Sequence, residues 1–213
     1  MGRFLLLFLI TLTICGLSYS QNLPIDYETK TFRESREKDF RNPDLSPLLP
    51  EDLANFKGLN FYDFDEKFRI KAIFEKTGER KSLLMPTTTG TTRKYLKIGD
   101  LHFTLNGNDY TLGAYFIEYS LDHPKSKEPI IDVFVPFKDL TNGAETNNAG
   151  RYLYVRLPKE GDSTIVDFNL AYNPNCAYGN ENISCTLPPK ENFLKVEIKA
   201  GEKIFKTSVS NKQ

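Results

Sequence analysis

Between Phe134 and Lys203 the chain gathers side chains able to do chemistry among turn-forming Gly and Pro. Asp139, Thr141, Glu145 and Thr146 lead into Arg151; Asp167, Asn169, Tyr172 and Asn173 form a second group, and Glu191 and Asn192 a third. Glu145, Asp167 and Glu191 are the candidate catalytic acids and bases. Two of them facing each other across a cleft would suit glycoside hydrolysis, one protonating the leaving oxygen and the other attacking or activating water. Arg151 suits a carboxylate, a phosphate or a sugar hydroxyl. Asp139, Thr141, Glu145, Asp167, Asn169, Tyr172, Asn173 and Asn192 complete the expected ligand-binding set around it.

Other chemistries lack their parts. The stretch 139–150 is rich in hard oxygen donors of the kind Ca²⁺ takes, but its spacing is not that of an EF-hand. Asp, Asn and Thr in such a turn ordinarily bond its own amides, so no metal and no cofactor is expected. His102 and His123 lie far from the cysteines and read as surface residues, which leaves zinc without ligands. GxSxG and phosphate-cradling Gly loops are both absent from the sequence, so a serine hydrolase is not indicated.

These residues need strands to position them. Phe68, Ile70, Ala72 and Phe74 alternate with polar residues, as in a half-buried strand. Leu101, Phe103 and Leu105 run into Asn106-Gly107, a strong hairpin signal, and 110–118 continues as a strand. Further strands are expected at 82–85, 95–98, 130–137, 151–157, 164–169, 194–199 and 204–209. If 151–157 pairs with 164–169 so that Arg151 stands opposite Asn169, then Arg151, Asp167 and Asn169 share a face. A one-residue slip would present Tyr152 and Tyr154 there instead. Gly150 would leave room for a ligand to approach the backbone beside Arg151. On that reading water screens Asp167, and Arg151→Met costs only about 1 kcal/mol of stability while abolishing ligand retention.

Toward the N-terminus, 27–41 (YETKTFRESREKDFR) reads as a charged surface helix ended before Pro43, with Glu37 and Arg41 spaced for a helical ion pair. A shorter helix follows, with Pro50 in its first turn, Glu51 and Asp52 at its positive end and Gly58 closing it. Residues 1–20 have the form of a secretory leader: Arg3, a short apolar run, then Ser18 and Ser20 before Gln21. Acylation at Cys15 is the alternative, though Ile14 stands where a small residue is wanted. Cleavage would leave 27 basic against 28 acidic residues, a balance with no footprint for nucleic acid, and no transmembrane segment in the mature chain. It would also leave only Cys176 and Cys185, nine positions apart in an exported setting and so expected as a disulfide.

The blocks PFKDLTNGAETNNAGRYL, DFNLAYNPNCAY and CTLPPKENFLKVEIKAGEK resemble the C-terminal signature of the domain of unknown function 1684 family. SPLLPEDLANFKGLNFYDFDEKFRIKAIFE is similar to that family's opening segment. The resemblance covers most of the chain after about Leu45 and implies a shared fold, but no reaction.

Hydrophobic content of 39% with 13% aromatics supports a folded core rather than disorder. Many short strands with helices confined to one end indicate a mostly β protein: an antiparallel β-sandwich or barrel with N-terminal helices. The expected division is a signal peptide at 1–20, a helical cap and linker at 21–59, and the β domain with its polar loop cluster at 60–213. The function expected is that of a periplasmic or extracellular domain binding a small polar molecule or glycan around Arg151. A carboxylate-based hydrolase and a structural or partner-binding protein without a pocket are the alternatives.

Overall fold

A computed structural model describes residues 23–117, 132–158 and 160–206. The leader, Cys15, His123 and the expected strand positions 118, 130–131 and 207–209 lie outside them. Helix α1 spans Tyr27–Arg41 and helix α2 Pro50–Ala54. Among the described residues six strands follow: β1 Arg69–Pro86, β2 Thr92–Leu105, β3 Asn108–Ile117, β4 Asp132–Phe137, β5 Arg151–Arg156 and β6 Ser163–Asp167. They form one antiparallel sheet in the order β5-β4-β3-β2-β1-β6. The protein is therefore mostly antiparallel β, a curled half-barrel with a helical N-terminus.

Two features of the strands produce the curl. The register shifts between Lys76 and Lys81 in the β1–β2 pair and between Lys97 and Gly99 in the β2–β3 pair, and such bulges bend and twist a strand. Gly99 sits at the bend, where a Cβ would stand 2.5 Å from the Glu75 carbonyl oxygen. The Asn106-Gly107 turn between β2 and β3 forms as its sequence demands, with φ of +52° and +78°, the left-handed pair of a type I′ hairpin.

Strands β5 and β6 are consecutive in the chain yet stand at opposite edges of the sheet. The expected hairpin between them does not form: Arg151 lies opposite Phe137 of β4, and Asp167 opposite Arg69 of β1. Their connection is too long for a two-residue turn that would force pairing, and each strand finds a partner with a longer apolar face. The curl brings the two edges back toward each other, where the Thr164 hydroxyl donates to the Arg156 carbonyl.

Alternation along the strands makes two cores. One face buries Leu101, Leu112, Val135, Leu153 and Val166 with Phe168. The other buries Met85, Tyr95, Tyr115 and Phe134. The stretches expected as strands at 194–199 and 204–206 carry no ladder. Leu194 and Ile198 are buried and Val196 packs on the core, so the alternation records an extended segment laid across the core. A buried segment held by isolated bonds, such as Leu194 N–H to the Lys138 carbonyl at 2.8 Å, has the same period as a strand. Similarly, β6 stops at Asp167 because its side chain caps the one-turn 3-10 helix Phe168–Leu170.

Helix α1 lies over the domain as expected, with Glu37 and Arg41 paired at 3.0 Å. Its Phe40 is sunk edge-on against Tyr178, centroids 4.6 Å apart. Helix α2 is closed by Asn55 as its C-cap rather than by Gly58. Gly58, at φ +138°, instead turns the chain past the Glu37 carboxylate.

Candidate functional site

Most of the residues first suspected of binding a ligand are engaged by partners within the fold. Arg151 is fully buried. Its Nη2 donates to Asp139 Oδ2 at 2.8 Å and to the Ile198 carbonyl at 2.9 Å, and its Nη1 to the Ala200 carbonyl. Asp139 Oδ1 accepts from the Thr141 N–H at 2.8 Å, the Thr141 hydroxyl at 2.6 Å and the Ile198 N–H at 3.3 Å. The partner of Arg151 is thus Asp139, not Asp167, because β5 presents its odd-numbered residues to the main core next to β4. Gly150 does have a positive φ of +99°, but what approaches it is the chain itself. A Cβ there would lie 2.7 Å from both the Phe137 carbonyl oxygen and Pro188 Cγ.

Several of the oxygen-bearing side chains of 139–150 bond the loop itself. Asn142 accepts from the Asp139 N–H and donates to Thr146 Oγ1 and the Asn147 carbonyl, while Asn147 donates to the Gly150 carbonyl. The three carboxylates considered for catalysis are engaged with different partners. Asp167 accepts from Arg69 at 2.7 Å and from Asn169, and Glu191 accepts from the Tyr115 hydroxyl at 2.8 Å. Glu145 accepts from Tyr62 at 3.0 Å and pairs with Lys199 at 3.2 Å. Those two hydrogen bonds hold its carboxyl below the ordinary range, the opposite of what a general acid needs.

Each buried Asn serves as a backbone clamp. Asn192 donates to the carbonyls of Gly113 and Pro136 and accepts from the Gly113 N–H at 2.7 Å, joining β3 to β4. Asn169 bonds both the N–H and the carbonyl of Asp65 at 3.0 Å. Asn173 donates to the Lys203 carbonyl and, through its own N–H, to Glu202. Glu202 is buried and also accepts from Tyr178 and from Arg36 of α1. Burial pushes its carboxyl up against the pull of Arg36. Nothing in its local sequence, Ala200-Gly201-Glu202, marks it as buried.

Of the expected set, Asp167 borders a groove beside Glu28, Arg69 and Arg156, and Tyr172 lines an open aromatic cleft. That cleft, of about 340 Å³, lies on the sheet face away from the main core. Its aromatic wall is Tyr95 from β2, Phe134 from β4, Tyr152 and Tyr154 from β5, and Tyr172. Phe134 meets Tyr152 edge-on at 4.8 Å, Tyr152 stands perpendicular to Tyr172 at 5.8 Å, and Tyr154 is nearly parallel to Tyr172 at 6.4 Å. Tyr154 is 53% exposed. From the outer side, the Arg36 guanidinium rests on the Tyr172 ring at 4.6 Å.

The facing wall is the loop closed by the Cys176–Cys185 disulfide, contributing Ser184, with Asn175 and Thr186 flanking it. It is tied to the sheet at several points. Tyr95 and Thr186 hydroxyls lie 2.8 Å apart, and Tyr152 donates to the Thr186 carbonyl at 2.6 Å. Cys185 N–H donates to Thr88, and Arg93 Nη2 to the Ser184 carbonyl at 2.9 Å. Burial pushes the Tyr152 and Tyr172 hydroxyls above their ordinary range, so both are neutral at physiological pH.

A family model described as "Protein of unknown function (DUF1684)" matches residues 54–203. The chain belongs to the DUF1684 family. Among solved structures, it is similar to the solution NMR structure of the uncharacterized protein from gene locus rrnAC0354 of Haloarcula marismortui. The two are 32% identical with a TM-score of 0.64, over 84% of this chain and 94% of that one. No curated protein matches. The cleft residues, from Arg93 to Thr186, all fall within the DUF1684 segment, whereas α1 with its brace Arg36 precedes it.

For this DUF1684 domain, the cleft residues overlooked in sequence include Arg93, Tyr95, Phe134, Ser184 and Thr186, while Tyr152 and Tyr154 were named only as the face a slipped register would present. A signal for some of them was present. In DVFVPF and RYLYVR the positions alternating with the core-facing Val, Phe and Leu hold Phe134, Tyr152 and Tyr154. Large aromatics repeated on the second face of adjacent strands need something to cover them. Arg93 and Ser184 had no such signal, since their meeting depends on where the disulfide loop lies.

Proposed function

We propose that this protein is an exported binding domain whose ligand, a small polar molecule or glycan, sits in the aromatic cleft beside the disulfide loop. The observation that carries this reading is a preassembled set of rings, Tyr154 exposed, Tyr152 and Tyr172 half-buried and Tyr95 and Phe134 buried beneath them, bordered by a polar rim in a cleft whose size is typical of small-molecule sites. Aromatic faces take the apolar face of a ring while the rim groups bond its hydroxyls. The block around Arg151 then acts as the frame that holds the 194–203 segment in place, rather than as the site. The carboxylate-hydrolase alternative receives less support, since none of Glu145, Asp167 and Glu191 lines this cleft.

The test is a thermal-shift screen of saccharides and small acids against the wild type and Tyr154→Ala. At least one compound is expected to raise the wild-type melting temperature. Removing the exposed ring should weaken its binding roughly tenfold while leaving the unliganded melt nearly unchanged. A screen that raises no melting temperature, or a hit indifferent to Tyr154, counts against the cleft.

Export is part of the same proposal, supported by the leader-like 1–20 and by a disulfide suited to an oxidising compartment. Mass spectrometry of protein from its native cell should find a chain beginning at or near Gln21 with Cys176 joined to Cys185. Cys176→Ser should lower stability by about 2 kcal/mol, because the short loop loses its tether in the unfolded ensemble. Two alkylatable thiols on an intracellular chain retaining Met1 would reverse both expectations.

A further inference from the structure

We infer that the cleft is built for an acidic saccharide, a pyranose carrying a carboxylate such as a uronic acid. This rests on reading the cleft as the binding site and goes beyond it by assigning the ligand its charge. Among the described residues lining the cleft, Arg93 is the single charged group, and neither Asp nor Glu is present. Arg93 is solvent-exposed at the mouth of the recess, and as the one charge among the described lining residues its guanidinium sets the sign of the local field. A cationic ligand would meet that field with no carboxylate to receive it.

Arg93 is also held in place. Its Nη2 donates to the Ser184 carbonyl at 2.9 Å, and Ser184 is fixed in turn by a hydroxyl contact with Thr89 at 2.8 Å. This bond uses one of five guanidinium N–H donors and restrains the position of the fork. A fork so anchored can present its remaining edge to the two oxygens of a carboxylate. Arg93 precedes Tyr95 by two residues on β2, so both project from the same face of the strand. A carboxylate on Arg93 therefore places the attached ring along the aromatic wall toward Tyr152 and Tyr154. The rim amide of Asn175 and hydroxyl of Ser184 are suited to sugar hydroxyls, which an aromatic acid would not supply.

Isothermal titration of the full mature chain tests this with digalacturonate, its neutral dimethyl ester and 4-hydroxybenzoate as probes. Digalacturonate is expected to bind at least roughly tenfold more tightly than the ester, the usual margin of a charge-assisted pair. Arg93→Met should erase that preference while the ester still binds, which also shows the variant is folded, and Arg93→Lys should restore part of it. Equal affinity for acid and ester, unchanged by Arg93→Met, overturns the acidic assignment but leaves the cleft as a sugar site. Tight 4-hydroxybenzoate with no saccharide binding overturns the saccharide class alone. If no probe binds, and the thermal-shift screen finds no compound sensitive to Tyr154→Ala, both this inference and the cleft reading fall.

Discussion

Arg151→Met is expected to destabilise the fold by about 3–5 kcal/mol, because it leaves a buried carboxylate without its cation. Asp139 and Arg151 are both fully buried side chains, 2.8 Å apart. Methionine fills much of the volume but offers no donor to Asp139 Oδ2 or to the carbonyls of Ile198 and Ala200. Those carbonyls belong to the 194–203 segment, which has no strand ladder of its own, so its position over the core depends on Arg151. The double variant Asp139→Asn/Arg151→Met removes the stranded charge and should recover part of the loss, giving a coupling readable in a double-mutant cycle. Urea unfolding of the wild type, both single variants and the double variant measures it. A loss of only about 1 kcal/mol for Arg151→Met would mean that water reaches Asp139, and would return a pocket at Arg151 to consideration. The sequence alone favoured that small loss; the burial of both partners reverses it.

Asn192→Ala is expected to cost about 3 kcal/mol or more, since three buried backbone groups lose their partner at once. These are the Gly113 N–H, the Gly113 carbonyl and the Pro136 carbonyl. Each unsatisfied buried group costs about 1–3 kcal/mol. Among the described residues, strands β3 and β4 share one aligned pair, Tyr115 with Phe134, and the amide of Asn192 adds to the joining there. Since Phe134 lies in the wall of the cleft, loosening this junction should also weaken ligand binding. Hydrogen exchange at the Gly113 amide gives a direct reading. It should speed up strongly in the variant, and an unchanged rate combined with a loss below about 1 kcal/mol would show that water replaces the side chain.

Local signals specified a good part of this fold. The bounds of α1, the first-turn Pro50 of α2, the Asn106-Gly107 hairpin and the inward face Ile70–Ala72 all follow from capping, dipole, turn and alternation preferences acting within a few residues. The same holds for the His102 environment: the ring bonds Thr111 and Glu75 on the exposed face of neighbouring strands, as expected of a surface residue. The family resemblance, confined to blocks of the chain itself, also held.

The candidate site was less legible, and particular residues show why. Asp139, Thr141, Arg151, Asn169 and Asn192 were rightly picked out as unusual, but polar residues that stitch a loop-rich core have the same types as those that bind a ligand. Burial separates the two cases, and burial depends on which strands meet. Nothing local could tell β5 to pair with β4 rather than β6, or bring the segment 194–203 under Arg151. Nor could it set the disulfide loop opposite Tyr95, Phe134 and Tyr154, which come from three different strands. Short-range preferences thus determined the helices, the turns and the inward face of each strand. Strand order, the identity of Arg151's partner and the existence of the cleft were decided by long-range packing, because the energy of burying a side chain is realised only against residues distant in the chain.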